Sequence, residues 1–365
     1  MEKKNNDVHY RPSRLTFGAG SPYQPSGNAR GPIPDPHCPE KLTRNQIITN
    51  FSAANPLRRY LSSLSYHAYT VWLFTYSSHK DTVYPSAAFA TSTALSTSFS
   101  FAPPTSFLSV TSSILLALFW AWLALFFFSL HNQHHPDSVL EDKINKPWRP
   151  LPSGRITTFQ TRVLLACYYP VWFGISHHLG AIRQCIGLTV LTWYYCELGG
   201  CQQGGFARNI LNAMGYSCFF AGALQAFVGT GYNVYEGKPL VWLVMICSLI
   251  FTTIHAQDFR DEKGDRARGR QTVQTTLGDR ASRWVIVVMA VMWSVAIPRV
   301  LGLGWAVMGV LLSLAGVLSF FTLRCLWERT AERDCFAYKV WIGWFVACIL
   351  APWMQTGVDC LIAIV

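Results

Sequence analysis

Long stretches without charge alternate with short charged segments along most of this chain. Residues 106–130, SFLSVTSSILLALFWAWLALFFFSL, run about 25 positions without a charge, enough for a helix to cross a hydrocarbon core of about 30 Å. Other apolar segments lie at 157–177, 181–198, 209–229, 239–257, 284–300, 304–323 and 337–355, with a weaker one at 80–100. The pattern predicts an all-α polytopic membrane protein with about nine transmembrane helices.

The beginning of the chain has a different pattern. Residues 1–60 are polar and rich in proline, glycine and serine, with too few apolar positions to bury a core. We therefore predict a disordered polar cytosolic tail at 1–65 and a transmembrane helical domain at 66–365.

Composition and charge support a membrane protein. Of the 365 residues, 51% are hydrophobic and 13% charged, about half the charged fraction of a soluble globular protein. The net charge of +11 could indicate nucleic acid, but the basic residues gather in the tail and at 143–155, 260–283 and 324–339. Nine spans would place these segments on one side of the membrane, as the positive-inside rule requires. The predicted partner is therefore the lipid bilayer and not nucleic acid, with these loops cytosolic and the endoplasmic reticulum as the default location.

The first acidic segment, HNQHHPDSVLEDKINKPWRPLPSGRIT, covers residues 131–157. Carboxylates and cations lie close together in this segment. It could be a solvated loop, or it could be a functional site at the membrane surface. The charged residues are Asp137, Glu141, Asp142, Lys143, Lys146, Arg149 and Arg155. The histidines 131, 134 and 135 could be metal ligands, but the spacing suggests no convergent third ligand for zinc.

The second acidic segment, HAQDFRDEKGDRARGRQT, covers residues 255–272. Spacings of three and four place Asp258, Asp261 and Asp265 on one face of a helix, where like charges repel. A divalent cation is the usual reason for such an arrangement, and Mg²⁺ takes carboxylates together with phosphate oxygens. Donors for the remaining phosphate charge would come from the neighbouring cations Arg260, Lys263, Arg266, Arg268 and Arg270. With apolar helices beside both segments, the predicted ligand is an isoprenyl diphosphate.

Three segments carry a resemblance to a known family. INKPWRPLPSGRIT, DEKGDRARGRQT and ARNILNAMGYSCFFAGA (207–223) resemble segments of the UbiA superfamily of intramembrane prenyltransferases, and most closely its fungal subgroup that includes transmembrane terpene cyclases. The resemblance covers roughly residues 70–360. It implies a bundle of about nine helices in which the two acidic segments face each other over a central cavity open to the cytosolic face.

The resemblance also implies roles for individual residues. It assigns catalysis and Mg²⁺ binding to Asp142, Asp261 and Asp265, with Glu141 and Asp258 as further metal ligands. The residues it assigns to diphosphate binding are Lys146, Arg149, Lys263, Arg266 and Asn145.

The chain departs from the family's first motif, NxxxDxxxD. Ser138 stands where the motif has its first Asp, and His134 where it has Asn. Asn132 and Asp137 lie nearby and are the candidates to compensate.

The implied activity is Mg²⁺-dependent ionisation of a farnesyl or geranylgeranyl type of diphosphate. Transfer of the prenyl group to a hydrophobic or aromatic acceptor, in fungal-type secondary or lipid metabolism, is the first expectation. The alternative is a terpene cyclase that captures the cation intramolecularly to give a sesquiterpene or diterpene, and a third is a non-catalytic lipid-diphosphate binder. A polar group that binds an acceptor in the cavity would favour transfer, and an all-aromatic cavity would favour cyclisation. Asn212, Tyr216 and Tyr232 are candidates for such a polar group.

Overall fold

The described part of the chain is entirely helical. A computed structural model describes residues 56–99, 101 and 106–364, and these contain no β-strand. The predicted tail lies outside this range as far as residue 55, and its boundary at residue 65 falls inside the first helix. The division into tail and membrane domain therefore stays a prediction.

The described residues include thirteen α-helices. In chain order they are α1 (Pro56–Thr75), α2 (Tyr84–Leu95), α3 (Phe107–Gln133), α4 (Pro136–Asn145), α5 (Thr158–His178), α6 (Ile182–Cys196), α7 (Gly205–Val228), α8 (Gly237–Thr253), α9 (Asp258–Ala267), α10 (Val273–Leu277), α11 (Asp279–Leu301), α12 (Trp305–Arg324) and α13 (Ala331–Ile364). A π-helical segment, His79–Val83, precedes α2, and a 3₁₀ segment, Ile254–Gln257, joins α8 to α9.

Six stretches of the described residues are long and apolar enough to cross a membrane. They are Phe107–Gln133, Gly205–Val228, Gly237–Ala267, Asp279–Leu301, Trp305–Arg324 and Ala331–Ala363. Three predicted spans are not among them. The segment 157–177 forms α5, which contains an arginine and a proline, the segment 181–198 forms the 15-residue α6, and 80–100 is divided between the π segment and the 12-residue α2. The count of nine is thus not confirmed, although all nine predicted segments contain helix.

Side-chain caps fix where the helices begin after each acidic segment. Thr157 caps α5 by accepting a hydrogen bond from the backbone of Gln160, whose side chain accepts one from the Thr157 backbone. Thr272 and Thr275 form the same reciprocal arrangement at the start of α10. Such capping boxes satisfy donors that a helix start leaves unpaired. Each acidic segment is therefore followed by a sharply defined helix start.

Helix α7 packs closely against α3 because of one glycine. A Cβ atom on Gly222 would lie 2.0 Å from Cη2 of Trp120, far inside van der Waals contact. The Trp120 indole is fully buried and donates a hydrogen bond to Ser176 Oγ at 3.1 Å, so it has little room to move. Only glycine allows α7 and α3 to approach this closely, and both helices form walls of the central cavity.

We expect Gly222→Ala to destabilise the protein by about 1–3 kcal/mol, the usual cost of overpacking a well-packed interior. The matched control is Gly316→Ala in α12, where an added Cβ would have no atom within 4 Å. Thermal unfolding of the two purified variants in detergent measures the difference. Equal melting temperatures for both variants would contradict the close approach of α7 and α3 through Gly222.

Candidate active site

The two acidic segments form short helices that pack against each other. PDSVLEDKIN forms α4 and DFRDEKGDRA forms α9, so both segments are helical as predicted. Asn145 Nδ2 donates to the backbone carbonyl of Asp261 at 3.1 Å. A Cβ atom on Gly264 would lie 2.1 Å from Asn145 Nδ2, so a glycine permits this contact. The fold therefore brings together two segments that lie 116 residues apart in sequence.

Two of the predicted metal ligands are held by arginines in paired hydrogen bonds. Arg149 Nη1 donates to both oxygens of the buried Asp142 at 2.9 Å. Arg260 donates from Nε and Nη2 to the two oxygens of Asp261 at 2.8 and 2.7 Å. Arg260 thus contacts its carboxylate with two donor nitrogens, the geometry of the stronger ion pairs in proteins, whereas Arg149 contacts both oxygens of Asp142 through one nitrogen.

Asp258 pairs with an arginine from a different helix. Arg208, near the start of α7, donates to Asp258 Oδ1 at 2.6 Å, and its Nε lies 3.4 Å from the hydroxyl of Tyr195. Asp258 is almost fully buried. The ion pair thus joins α7 to the N-terminal end of α9.

Asp265 and Glu141 share arginines across the contact between α9 and α4. Arg270 donates to Asp265 Oδ1 at 2.7 Å and lies 2.9 Å from Glu141 Oε2, while Arg268 donates to Glu141 and to Ser138 Oγ, both at 3.1 Å. Burial works to raise the pKa of Glu141, but the surrounding cations, Arg270 foremost, outweigh it and hold that pKa below its ordinary value.

These pairs add to what the spacing of the acidic residues predicted. The three aspartates on one face of α9 were expected to need a divalent cation to offset their mutual repulsion. In the structure each is paired with an arginine, and those of Asp258 and Asp265 lie outside α9, on α7 and in the loop after α9. Arg260 and Arg270 belong to the same segment, 255–272, whereas Arg208 comes from α7 and could not be inferred from that segment.

A cavity opens between the acidic helices and α3, α6 and α7. It encloses about 1090 Å³, counting its open mouth. The charged side chains that line it are Lys146, Arg149, Arg208, Arg260, Arg270, Asp81, Glu141 and Asp261. Three of the arginines are in turn paired with carboxylates that do not line the cavity, those of Asp142, Asp258 and Asp265. The lining therefore combines cations and carboxylates in close pairs.

The cavity walls change from polar to apolar along three helices. On α7 the lining side chains run from Arg208 through Asn212 to Phe219, and on α3 they run from Asn132 to Leu125. On α6 they run from Tyr195 through two leucines, at positions 191 and 188. At about 1.5 Å per residue, the α7 wall is about 16 Å long. One end of the cavity is therefore charged and the other is lined mainly by hydrocarbon.

Lys146 differs from the other cations of the cavity. Among the residues that the structure describes, its ammonium has no hydrogen-bond or ion-pair partner, whereas the four lining arginines are each paired with a carboxylate. Burial lowers the pKa of Lys146, and the nearby Arg149 lowers it further. Lys146 is thus a cation in the cavity with its donors free to bind a ligand.

Some predicted site residues lie away from the cavity. Lys263 and Arg266 are exposed on the outer side of α9, where Arg266 pairs with Glu262. Asp137, the candidate to compensate for Ser138, is exposed and accepts a hydrogen bond from Gln202 at 3.3 Å. The structure does not bring these three side chains into the cavity, because each points outward from a helix whose opposite face carries the other site residues.

Other candidate polar groups do line the cavity. Asn132, Asn212 and Tyr216 belong to its walls. The backbone of Tyr232 accepts a hydrogen bond from Gln225, and its ring packs against Phe101; it is not part of the lining.

The histidines of the first segment gain a partner that the spacing did not suggest. Glu197, directly after α6, lies 2.7 Å from His131 Nδ1 and 3.3 Å from His135 Nε2. Ligand atoms of His134, His135 and Glu197 lie within 4.8 Å of one another. This cluster joins the end of α3 to the end of α6 beside the acidic helices.

Two charged residues of the cavity were not predicted from the sequence. Arg208 lies within the segment 207–223 that carries the family resemblance, which was a usable signal. Asp81 is an acid inside the weakest predicted span, 80–100, and an ionisable residue in such a span is functional by default.

Comparison with known proteins identifies the family. The UbiA prenyltransferase family matches residues 138–349, a range that includes α4, α9 and the helices between them. The chain belongs to the UbiA prenyltransferase family. The resemblance predicted from its acidic segments is confirmed, and with its apolar helices this makes the chain an integral membrane protein.

Two relatives of this UbiA protein differ in their reactions. One is the fumagillin beta-trans-bergamotene synthase of Aspergillus fumigatus, 30% identical over 243 residues that cover 66% of this chain and 80% of that one. Another is the polyprenyl transferase eriF of Hericium erinaceus, 28% identical over 173 residues that cover 47% of this chain and 57% of that one.

A solved structure shares the fold. A UbiA homolog from Archaeoglobus fulgidus, bound to GPP and Mg²⁺, superposes with a TM-score of 0.52 at 12% identity, over 77% of this chain and 99% of that one.

The acidic cluster of this UbiA protein offers oxygen ligands of the kind that Mg²⁺ prefers. Asp258 Oδ2 and Asp265 Oδ2 are buried and have no hydrogen-bond partner among the described residues. Buried polar atoms are normally paired, so two orphaned carboxylate oxygens on one helix point to a missing ligand. An all-oxygen set of carboxylates is the chemistry that Mg²⁺ prefers.

We expect Arg270→Gln to destabilise the protein by about 3–5 kcal/mol, because it leaves Asp265 and Glu141 buried with one cation fewer. The control is Arg266→Gln, whose exposed ion pair contributes less than about 1 kcal/mol. Thermal unfolding without added metal compares the two. Similar melting temperatures would show that the buried pairs do not hold α4 and α9 together.

Proposed function

We propose that this UbiA protein is an enzyme that binds an isoprenyl diphosphate together with Mg²⁺ in the central cavity and ionises it. The observation that carries the proposal is the change along the cavity walls, from paired carboxylates and cations at one end to leucine and phenylalanine about 16 Å away. A ligand with a diphosphate head and a hydrocarbon tail is likewise charged at one end and apolar at the other.

Five of the carboxylates of α4 and α9 would hold the metal. These are Glu141, Asp142, Asp258, Asp261 and Asp265. Bound there, Mg²⁺ would supply Lewis-acid stabilisation of the negative charge that develops on the departing diphosphate. The GPP and Mg²⁺ bound to the Archaeoglobus homolog support this part of the proposal.

The cations of the chain would bind the diphosphate itself. Lys146 can donate to a phosphate oxygen without leaving another partner. Arg149, Arg208, Arg260 and Arg270 already face the cavity, and a guanidinium binds phosphate with the same two-donor geometry that it offers a carboxylate. As the carboxylates take up metal, these arginines would exchange carboxylate for phosphate, so no buried charge is left unpaired.

The apolar end of the cavity would hold the prenyl chain. Leu125, Leu188 and Phe219 offer no nucleophile, so they would not capture positive charge that moves along the prenyl chain. The neighbouring aromatic rings, such as Phe128, would stabilise positive charge through their faces.

Intramolecular capture, as in a terpene cyclase, is the first candidate for the fate of the cation after ionisation. The Aspergillus relative that supports it is a bergamotene synthase and covers more of this chain than the polyprenyl transferase does. This reverses the order that the sequence suggested. Transfer to an acceptor is the second candidate, favoured by Asn132, Asn212 and Gln257, which give the cavity polar groups able to hold an acceptor.

The cavity mouth would face the cytosol. The basic segments 143–155 and 260–283 flank it, and the positive-inside rule places such segments on that side. The endoplasmic reticulum is the membrane we propose.

We expect Asp261→Asn to lower Mg²⁺-dependent release of diphosphate from farnesyl or geranylgeranyl diphosphate by about a hundredfold or more, the usual effect of removing a group that stabilises transition-state charge. The matched control is Asp137→Asn, since Asp137 is exposed and outside the cavity. Released diphosphate is measured in membranes, and the organic extract is read by mass spectrometry. A terpene hydrocarbon would support cyclisation, and turnover only with added acceptor would support transfer. Wild-type turnover by Asp261→Asn would overturn the site.

We expect Lys146→Met to raise KM for the diphosphate about tenfold or more, because a charge-assisted hydrogen bond is worth about 1.5–3 kcal/mol. Lys143→Met removes the same charge from an exposed position of α4 and should leave KM within about twofold. Steady-state kinetics on both variants tests this. Equal KM values would mean that Lys146 does not contact the diphosphate.

A further inference from the structure

Asp81 is a buried carboxylate in the cavity wall that neither metal binding nor ionisation uses. It is 8% exposed and lines the same cavity as Lys146 and Asp261. Within the described residues it has no ion pair with a cationic side chain, unlike the carboxylates of α9, which all have one. A buried carboxylate without an ion pair is costly to keep, and an ionisable group inside a membrane domain is functional by default.

The hydrogen bonds around Asp81 keep it an acceptor. The hydroxyl of Tyr338 on α13 donates to Oδ2 at 2.9 Å, and the hydroxyl of Thr82 donates to Oδ1 at 3.3 Å. The hydroxyl of Tyr216 lies 3.3 Å from that of Thr82. Two neutral donors satisfy only part of the acceptor capacity of a carboxylate, which has about four lone-pair sites. Asp81 can therefore still accept a proton from the cavity.

The local backbone explains why Asp81 faces the cavity. Pro85 has no N–H to donate to the carbonyl four residues earlier, which is that of Asp81, and its ring clashes with that carbonyl in an α-helix. The chain takes a π-helical register over His79–Val83 instead, and the backbone N–H of Tyr84 donates to the carbonyl of His79, five residues earlier. Single π turns are frequent at functional sites. Here the turn rotates Asp81 and Thr82 into the cavity lining.

Asp81 lies close to the charged end of the cavity. The guanidinium of Arg260 lies 4.3 Å above the ring of Tyr338, and the same Arg260 holds Asp261. Tyr338 therefore contacts both Asp81 and the arginine of the acidic helix. A carboxylate in this place would lie near the diphosphate end of the ligand, where the prenyl cation would form, yet it is not among the proposed metal ligands.

We propose that Asp81 is the base that removes the proton at the end of the reaction. The inference rests on the proposed function. In a cyclisation, a C–H bond next to the cationic carbon breaks, its electron pair forms a C=C bond, and the proton passes to Asp81. In a transfer, the proton lost by the acceptor passes to Asp81 when the acceptor bonds to the prenyl carbon. The released diphosphate, a weak base beside it, takes the proton on and carries it out.

Asp81→Asn tests the assignment, because asparagine has the same shape but cannot take the proton. The readout is the ratio of terpene product, hydrocarbon or prenylated acceptor, to released diphosphate. We expect that ratio to fall about tenfold or more, with alcohols labelled from H₂¹⁸O or isomeric olefins in place of the normal product. Asp359→Asn, an exposed carboxylate on α13, is the control and should keep the wild-type ratio.

Other outcomes separate this assignment from its alternatives. The wild-type product in the wild-type ratio, even at a lower rate, would overturn it and leave Asp81 a structural residue. If Asp81→Asn does not purify as a folded protein, Asp81→Glu decides. Its carboxylate is shifted by one methylene and should change the isomers formed, so an unchanged isomer pattern would overturn the assignment. Wild-type protein that releases no diphosphate would overturn the proposed function, and the role of Asp81 with it.

Discussion

Pairing of buried charges is the constraint on which this protein depends. A carboxylate or guanidinium alone in a largely apolar bundle costs several kcal/mol, yet the chain buries Asp142, Asp258 and Asp265 almost completely. It can do so because each has an arginine within hydrogen-bond distance. The Arg208–Asp258 pair joins α7 to α9, and Arg268 and Arg270 join the end of α9 to α4 through Glu141, so the electrostatic requirement of folding and the construction of the site depend on the same contacts.

The same pairs suit the site to a ligand that brings both signs of charge. Metal bound alone to the carboxylates would leave their arginines without a partner, and a diphosphate bound alone to the arginines would leave the carboxylates without one. A metal diphosphate supplies a partner to each, which gives a physical reason for the two to bind together. Among the described residues, the groups of the site left without a partner include Lys146 and the Oδ2 atoms of Asp258 and Asp265, and a ligand with both charges could pair with each of them. In the proposed function, the apolar walls of α3, α6 and α7 would then determine what becomes of the prenyl chain.

The features that could be predicted from the sequence are those encoded within a single segment. Hydrophobic runs predicted the helices, and the spacing and neighbours of Asp142, Asp261 and Asp265 predicted the family and the two acidic helices. Contacts between segments could not be predicted in this way: Arg208 reaches Asp258 from α7, and Glu197 reaches the histidines from α6. Lys263 and Arg266 lie outside the cavity, because a helix rotation of about 100° per residue turns them to the other side of α9 from Asp261 and Asp265. Asp81 was missed because its direction depends on a π turn next to Pro85.

The most direct test of the central claim is calorimetric titration of the purified protein with a thiolo analogue of farnesyl diphosphate, which binds without ionising. We expect saturable binding that requires Mg²⁺ and is lost in Asp265→Asn, which changes one of the two carboxylates with an orphaned oxygen. Equally tight binding in the presence of EDTA, or unchanged binding by Asp265→Asn, would contradict the claim that metal and diphosphate bind together at the acidic helices.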